Sequence, residues 1–280
     1  MGRSITWHDR RWQQVLQNGG LSRYEDFLGY RSDRLVWERF TTQTSRLEFR
    51  TPDGDRPTVL YLKKYVYPTR RWRFLLRRDK PDVEVRNYDF LRRRVGPCVP
   101  EVIATGRRRR WMMLYDAFIL TRELPQAVQL DDYARRHWKG PLPPDERARQ
   151  RHLLRATADL VRRMHAVHFY HIDLQWRNIL VRFDGSSREA EVFLIDAPRG
   201  GRRWLWFRRT HGRVRDLSNL DKLARHYLSR TDRLRWYVLY AGGRRLNRRD
   251  RRLITAVLAE RARYDQAKAR LLANCELGVS

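Results

Sequence analysis

The sequence predicts an α+β fold with a β-rich N-terminal part and a mainly helical C-terminal part. Between residues 41 and 67, a segment of alternating polar and apolar residues (Ser45–Thr51) and an apolar, β-branched segment (Thr58–Val66) flank a Pro-Asp-Gly-Asp turn signal, which predicts a two-stranded hairpin. Between Pro144 and Val167, apolar residues recur at helical spacing after a start of Pro and acids. No Gly/Ser-rich linker separates the two parts, so we expect two lobes around a cleft, with a boundary near Glu123–Gln126.

The composition indicates a folded chain with polyanionic partners. Hydrophobic residues make up 41% of the 280 residues and include 10 Trp, 13 Tyr and 10 Phe, enough for a sizeable core. The net charge of +29 is carried almost entirely by Arg, which binds phosphate and carboxylate groups through two nitrogens at once. Nucleic acid, anionic lipid headgroups and phosphorylated glycans are therefore candidate partners. Codon bias, with many arginines on solvated faces, is the alternative explanation.

The sequence contains no signal for a disulfide framework, a secretory leader or a membrane span. Cys98 and Cys275 fit neither a disulfide set nor a metal site. The N-terminus lacks the apolar stretch of a signal peptide, and no stretch approaches the roughly 18 consecutive apolar residues of a spanning helix. We expect a cytoplasmic protein whose basic surface can lie on the inner face of the cell membrane.

The remaining elements divide the chain into three expected regions. Residues 1–40 contain two short amphipathic helices and are expected to be an extension that packs on the N-terminal lobe. Residues 41–123 form that lobe, with a helix at 82–95 and two further strands around a basic turn at Arg107–Arg110. Residues 124–280 form the C-terminal lobe.

Two segments combine arginines with aromatic residues. Residues 68–82 fit a nucleic-acid patch, a basic segment for anionic membrane or a solvated linker, and the pattern does not choose among them. Residues 201–214 are interpreted as a substrate loop.

The central motif is His171–Val181, His-Ile-Asp-Leu-Gln-Trp-Arg-Asn-Ile-Leu-Val, followed by Leu-Ile-Asp at 194–196. Phosphoryl transfer needs a carboxylate beside the acceptor hydroxyl and metal ions on the phosphate oxygens. Asp173 suits the first task, while Asn178 and Asp196 offer oxygen ligands to a hard cation such as Mg²⁺. A pair of loop-capping acids and a metal-dependent hydrolase are the alternatives, but the histidines lack an HExxH arrangement.

A strand lysine and a helix carboxylate upstream complete this pattern. Lys63 emerges from an apolar strand and Glu84 lies in the first turn of the helix at 82–95. Together they fit a cation aimed at nucleotide phosphates and held by a carboxylate. Taken alone, Lys63 also fits an edge lysine that reaches solvent and Glu84 a helix-start acid. Lys64 replaces Lys63 if the strand register is shifted by one residue.

These residues resemble those of the lipopolysaccharide core kinases, the Kdo/heptose kinase family within the protein-kinase-like fold. The resemblance spans about residues 45–230 and is carried by Tyr61–Tyr65, Val83–Asn87, Leu120–Leu124, His171–Val181, Leu194–Asp196 and Arg215–Leu217. It implies a two-lobed fold in which Lys63 binds ATP phosphates and Glu84 pairs with it. It also implies that Glu123 and Leu124 line the hinge near adenine.

In the C-terminal lobe, the resemblance implies that Asp173 is the catalytic base and that Asn178 and Asp196 bind Mg²⁺. Asp216 is implied to brace the catalytic loop. The sequence departs from the wider kinase pattern because Thr41–Arg46, at the place of the phosphate-covering loop, has no glycine, and Asp196 is followed by Ala-Pro in place of Phe-Gly. No Ala-Pro-Glu segment follows, so an activation-loop switch is not expected.

The leading hypothesis is therefore an ATP- and Mg²⁺-dependent kinase that phosphorylates a sugar hydroxyl of the lipopolysaccharide core or a related lipid-linked glycan. A non-enzymatic nucleic-acid- or membrane-binding protein and a kinase of a small cytosolic metabolite are the alternatives. The net charge of +29 favours an anionic acceptor over a cationic metabolite.

Overall fold

The chain folds into two compact units. The structure, a computed structural model, describes residues 2–31, 35–39, 41–49, 57–69, 74, 78–183 and 189–276. One unit comprises Met1–Asp89 with Val99–Pro125, and the other comprises Phe90–Cys98 with Gln126–Ser280. Within the described ranges, no helix has the length and apolar character needed to cross a membrane.

The first unit is built on one antiparallel sheet. Its strands are β1 (Gly2–Trp7), β2 (Leu35–Arg39), β3 (Thr42–Phe49), β4 (Thr58–Val66), β5 (Val102–Arg110) and β6 (Met113–Arg122). They are hydrogen-bonded in the order β1-β5-β6-β4-β3-β2, so β4 is flanked by β3 and β6. The predicted hairpin of β3 and β4 is confirmed.

Three helices complete this part of the chain: α1 (Arg11–Asn18), α2 (Tyr24–Gly29) and α3 (Lys80–Arg94), whose last residues belong to the second unit. The helices α1 and α2 bury Leu16 and Phe27 against the sheet, and Phe27 stacks on Phe118 with 4.6 Å between ring centroids. A Cβ atom at Gly106 would lie 2.2 Å from the Phe118 ring, so this position on β5 requires glycine. The predicted helices in residues 1–40 and 82–95 are confirmed.

Residues 1–40 are an integral part of the sheet, which corrects the expected extension. β1 pairs with β5 and β2 pairs with β3, so this segment supplies both outer strands. The sequence pattern missed them because an edge strand such as β1 is mostly exposed and has no continuous apolar face.

One turn lies elsewhere than the sequence predicted. Arg107–Arg110 belongs to β5, and the turn is formed by Trp111 and Met112, both with positive φ (50° and 59°). In the segment Thr41–Arg46, all residues from Thr42 onward belong to strand β3. The turn predicted at 52–57 and most of the basic segment 68–82 lie outside the described residues.

The second unit is mainly helical. Its helices are α4 (Leu130–His137), α5 (Pro144–Ala166), α6 (Trp206–Tyr227), α7 (Arg230–Tyr240) and α8 (Arg248–Glu276). Its short strands are β7 (Val128–Gln129), β8 (Phe169–Tyr170), β9 (Ile179–Phe183), β10 (Ala190–Leu194) and β11 (Gly201–Arg202). They form a three-stranded sheet, β10-β9-β7, and a β11-β8 pair. The buried face of α5 is the predicted apolar stripe, which includes Leu153, Leu160 and Met164.

Much of the predicted substrate loop at 201–214 is helix, because α6 begins at Trp206. Close packing holds the start of this helix against β8. A Cβ atom at Gly212 would lie 2.6 Å from the ring of Tyr170, so glycine allows the approach. This contact positions α6 beside the residues that follow β8 in the chain.

Candidate active site

Strand β4 and helix α3 bring Lys63 and Glu84 together. Lys63 Nζ lies 3.7 Å from Glu84 Oε2. The Glu84 side chain is 3% exposed, and its two oxygens accept hydrogen bonds from Tyr65 Oη (3.0 Å) and Tyr88 Oη (2.8 Å). A buried carboxylate with these partners is held in one orientation. The lysine ammonium, with 17% of its side chain exposed, is therefore fixed next to a defined negative charge.

The neighbouring Lys64 serves a different purpose. Successive strand residues point to opposite faces, and Lys64 Nζ donates hydrogen bonds to the carbonyl oxygens of Leu28 (3.0 Å) and Tyr30. Burial lowers the pKa of Lys64, and nearby Arg31 adds to this effect. The ion pair with Glu84 thus belongs to Lys63, and the alternative register is not the one observed.

Glu123 and Leu124 follow the last residue of β6. The backbone nitrogen of Glu123 donates to Val59 O at 2.9 Å, which extends the pairing with β4. Its carboxylate accepts a hydrogen bond from Tyr61 Oη at 3.2 Å and lies 3.8 Å from Arg46 Nε. The Glu123 side chain is therefore engaged within the first unit, and any contact with a base would come from the backbone of this segment.

Asp173 lies in the loop between β8 and a short 3₁₀ turn at Trp176–Asn178. Its Oδ1 accepts a hydrogen bond from Gln175 Nε2 (2.6 Å), and its Oδ2 lies 3.8 Å from Arg177 Nη2. The side chain remains 24% exposed. Asp173 is thus an oriented carboxylate that a hydroxyl group can reach.

Asp216 on α6 holds the backbone of this loop. Its Oδ2 accepts the amide of His171 at 2.8 Å and its Oδ1 accepts the amide of Ile172 at 2.6 Å, while Asn219 Nδ2 donates to Ile172 O at 2.9 Å. Ile172 has φ of 70°, which is unfavourable for a β-branched residue. The two α6 side chains offset that strain and fix the peptide that leads into Asp173.

The motif histidine connects the two loops of the site. His171 is fully buried, and its Nε2 lies 3.0 Å from the carbonyl oxygen of Ile195, which directly precedes Asp196. Its Nδ1 has no hydrogen-bond partner among the described residues. Through Nε2, His171 links the loop that contains Asp173 to the backbone that precedes Asp196.

Asn178 and Asp196 lie next to each other because β9 and β10 are paired. Leu194 is opposite Ile179, and Ile195 N donates to Asn178 O at 3.0 Å. Asn178 Nδ2 donates to Asp173 O at 2.8 Å, which leaves the amide oxygen as the donor atom for a cation. Asp196 has φ of 57°, in the left-handed region. All three motif residues predicted to act together are therefore in one part of the second unit.

These donors fit Mg²⁺ better than a transition metal. Within the described ranges, no group of three or more His, Cys, Asp or Glu residues is arranged to hold a metal ion. Mg²⁺ is usually bound through one or two carboxylates together with substrate phosphates, whereas Zn²⁺ needs three or four nitrogen or sulfur ligands. An Asn oxygen and an Asp carboxylate suit the former.

Some of the residues that shape the site were not identified from the sequence. They are Gln175 and Arg177 beside Asp173, Tyr65 and Tyr88 beside Glu84, and His165 beside Asp216. The two tyrosines could have been found, because Tyr65 is two positions from Lys63 on a strand and Tyr88 four positions from Glu84 on a helix. His165 had no such signal, since it reaches Asp216 across 51 residues of sequence.

His165 makes the stability of this region depend on pH. Its Nε2 lies 3.2 Å from Asp216 Oδ2, but burial lowers the pKa of His165 despite the carboxylate. The histidine therefore binds a proton less readily in the folded protein than in the unfolded chain, where it does so below about pH 6.5. The free energy of unfolding therefore has its full value above that pH and decreases as the pH falls below it, because the unfolded chain binds more protons.

We expect the free energy of unfolding to fall between about pH 7 and about pH 5, by up to about 1.4 kcal/mol per pH unit from this residue. Urea unfolding of the native protein and of His165→Gln at several pH values measures the difference. The variant should show the shallower pH dependence; equal slopes would contradict the assignment.

The comparisons with known proteins agree with this architecture. The model of the lipopolysaccharide kinase (Kdo/WaaP) family matches residues 61–240. Among solved structures, "WaaP in complex with acyl carrier protein" is similar over 94% of this chain and 98% of that chain, with 22% identity and a TM-score of 0.65. No curated protein sequence matches the chain.

The fold and the family match define a kinase with an α+β, protein-kinase-like architecture, as the sequence predicted. The matched region covers more than half of the chain and contains Lys63, Glu84, Asp173, Asn178 and Asp196. The chain belongs to the lipopolysaccharide kinase (Kdo/WaaP) family.

Proposed function

We propose that the protein transfers the γ-phosphoryl group of ATP, with Mg²⁺, to a sugar hydroxyl of the lipopolysaccharide core or a related lipid-linked glycan. The observation that carries the proposal is the fixed catalytic loop within a member of this family: Asp173 is oriented by Gln175 and the loop backbone by Asp216. A positioned carboxylate of this kind accepts the proton of an attacking hydroxyl.

Asp173 is the proposed base. The acceptor hydroxyl donates a hydrogen bond to the carboxylate and transfers its proton to it as the oxygen bonds to the γ-phosphorus; the bond from this phosphorus to the bridging oxygen breaks, and ADP leaves with that electron pair. Arg177 Nη2 lies 3.8 Å from Asp173 Oδ2 and helps to orient the carboxylate. Both hydrogen bonds of the Asp173 carbonyl oxygen, from Gln175 N and Asn178 Nδ2, hold the loop while the carboxylate is engaged.

The remaining residues are proposed to bind the nucleotide and its metal. Lys63, held by Glu84, contacts the phosphates, and the backbone at Glu123 and Leu124 contacts the adenine. Asn178 and Asp196 are the proposed Mg²⁺ ligands through their side-chain oxygens. Bound Mg²⁺ would supply positive charge to neutralise the phosphate oxygens.

The charge of the chain supports a lipid-linked, anionic acceptor at the inner face of the cell membrane. A net charge of +29 raises the local concentration of polyanions and of anionic lipids near the protein. Phosphorylated core sugars attached to lipid are negatively charged and lie at a lipid surface.

The direct test is a transfer assay with labelled ATP, Mg²⁺ and three kinds of acceptor: lipopolysaccharide core glycolipids, polypeptides and small metabolites. The proposal requires label in the glycolipid, no transfer without Mg²⁺, and mass spectrometry that places the phosphate on a sugar. Label found only in a metabolite or polypeptide would reject the glycolipid acceptor while retaining the kinase.

The adjacent lysines provide a matched pair for testing the nucleotide-binding role. Lys63→Met removes the cation next to Glu84 and should lower kcat/KM for ATP by about tenfold to about a hundredfold, the effect of losing a charge-assisted contact. Lys64→Met removes the hydrogen bonds to Leu28 O and Tyr30 O and should lower stability by about 1 to 3 kcal/mol.

Steady-state kinetics and urea unfolding of both variants separate the two effects. Lys64→Met should have the native kcat/KM under conditions in which the variant is still folded. The proposed division of roles does not survive if Lys64→Met loses activity per folded molecule as strongly as Lys63→Met.

A further inference from the structure

An exposed aromatic cluster lies where β11 leads into α6. Trp204, Leu205, Trp206 and Phe207 are 65%, 50%, 76% and 51% exposed, respectively. We name these four consecutive residues the aromatic tip. Single exposed apolar residues are common, but a contiguous group of this size usually marks a surface that contacts a partner or a membrane.

Arginines flank the aromatic tip on both sides: Arg202 and Arg203 precede it, and Arg208 and Arg209 follow it. The last two are the third and fourth residues of α6, whose first turn, Trp-Phe-Arg-Arg, contains no acid. Helix stability favours acids at this end, because the helix dipole is positive there. The arginines therefore favour the binding of an external anion, although their charge makes this end of the helix less stable.

The tip is firmly attached to the catalytic part of the second unit. Arg203 N donates to His168 O at 2.9 Å, and Arg209 Nε donates to Arg203 O at 3.1 Å. The β11 residues Gly201 and Arg202 pair with β8, and β8 directly precedes the loop that contains Asp173. A surface that binds the tip is thus at a fixed position relative to the proposed base.

The shape of the tip fits a medium that surrounds it better than a flat protein surface or a nucleic acid. Leu205 has extended backbone angles and α6 begins at the next residue. Successive helix side chains are about 100° apart, so consecutive residues project in different directions. One face of the Trp204 ring is covered by the Arg202 guanidinium, 3.8 Å from its centroid, and Phe207 packs edge-on to Trp206. Each contact leaves less of these ring faces open to the stacking of bases.

We propose that the aromatic tip inserts into the headgroup region of an anionic bilayer while the flanking arginines bind lipid phosphates. Tryptophan prefers the membrane–water interface, and Trp with Arg is the composition of interfacial anchors. The inference rests on the proposed function in one respect: the membrane contact serves to bring Asp173 to acceptors embedded in lipid. It goes further by assigning the contact to residues 202–209.

The test compares the native protein with Trp204→Ser/Trp206→Ser in flotation with vesicles of phosphatidylcholine alone and of phosphatidylcholine with phosphatidylglycerol. The native protein should bind the anionic vesicles, more weakly at high salt, and the variant should partition at least about tenfold less. Shallow brominated lipids should quench part of the native tryptophan fluorescence and less of the variant's.

Trp111→Ser is the matched control, because Trp111 is 81% exposed and next to arginines but lies in the first unit. It should bind as the native protein does. Equal losses in the control and the double variant, or unchanged binding of the double variant, would overturn the inference. The inference would also be overturned if the native protein does not bind anionic vesicles. This includes the outcome in which it binds only nucleic acid or only an acidic protein.

Vesicle binding and phosphoryl transfer are separate readouts. The double variant should retain transfer to a delipidated core oligosaccharide and lose transfer mainly to acceptor in vesicles. If no acceptor is phosphorylated by the native protein, the proposed function fails, whereas the flotation result still decides the role of the tip.

Discussion

Asp173→Asn should reduce phosphoryl transfer by about a hundredfold to about ten-thousandfold while leaving the protein folded. Asn keeps the size of the side chain but cannot take a proton from an acceptor hydroxyl, and general-base contributions have this magnitude. Its amide oxygen can still accept the hydrogen bond that Gln175 Nε2 makes with Asp173 Oδ1 at 2.6 Å. The loop contacts of the Asp173 carbonyl are backbone contacts and remain.

The measurement is single-turnover transfer together with ATP binding and thermal unfolding. We expect the rate to fall and the melting temperature and ATP affinity to stay near their native values. Asp159→Asn is the control, because it makes the same change on an exposed part of α5 where Asp159 pairs with Arg162 and Arg163. Native transfer by Asp173→Asn would remove Asp173 from the chemistry, and a loss shared with Asp159→Asn would indicate a general charge effect.

The sequence contained enough information to predict the elements that position the site. Residues in the second half of β3 alternate, β4 begins with an apolar run, and α5 has one continuous apolar stripe, so each element carries its own signal. The outer strands β1 and β2 carry less signal, because one exposed edge places few constraints on side chains. The β5–β6 turn was predicted several residues too early because the last part of β5, Arg107–Arg110, is partly buried or exposed and has no apolar residue.

The choice between Lys63 and Lys64 shows the limit of local pattern. Both lysines follow the same apolar residues, and a shift of one residue exchanges the faces of a strand. What separates them is tertiary: α3 places Glu84 on one face, and the C-terminal end of α2 places the Leu28 and Tyr30 carbonyls on the other. Neither partner is close to the lysines in sequence.

The motif spacing, by contrast, predicted residues that the structure brings close together. Asp173, Asn178 and Asp196 converge because β9 and β10 form a short antiparallel pair between them. The strain that this loop stores was not visible in the sequence, since nothing about Ile172 indicates a φ of 70°. That conformation exists only because residues 44 and 47 positions further along the chain hold it.

Asp216→Ala should have the largest effect on stability of any single change in the site. The side chain is fully buried and accepts hydrogen bonds from His171 N and Ile172 N. Alanine leaves both amides and His165 Nε2 without this acceptor, and each buried donor left unsatisfied costs about 1 to 3 kcal/mol. Asp216→Asn retains one acceptor oxygen and should lie between the native protein and Asp216→Ala.

The same change should also reduce activity in molecules that remain folded. Without Asp216 the strained Ile172 backbone can relax. The carboxylate of Asp173, the next residue, then loses its fixed position. Asp221→Ala is the matched control. Asp221 is another buried acid on α6, but its partner is Arg233 on α7 at 3.1 Å, away from the loop.

Urea unfolding, together with transfer rates corrected for the folded fraction, distinguishes the roles of the two acids. Both alanine variants should be less stable than the native protein, because each leaves a buried polar partner unpaired. Only Asp216→Ala should lose transfer per folded molecule. A native rate in folded Asp216→Ala would mean that the loop holds its conformation without the brace, and that Asp216 contributes stability alone.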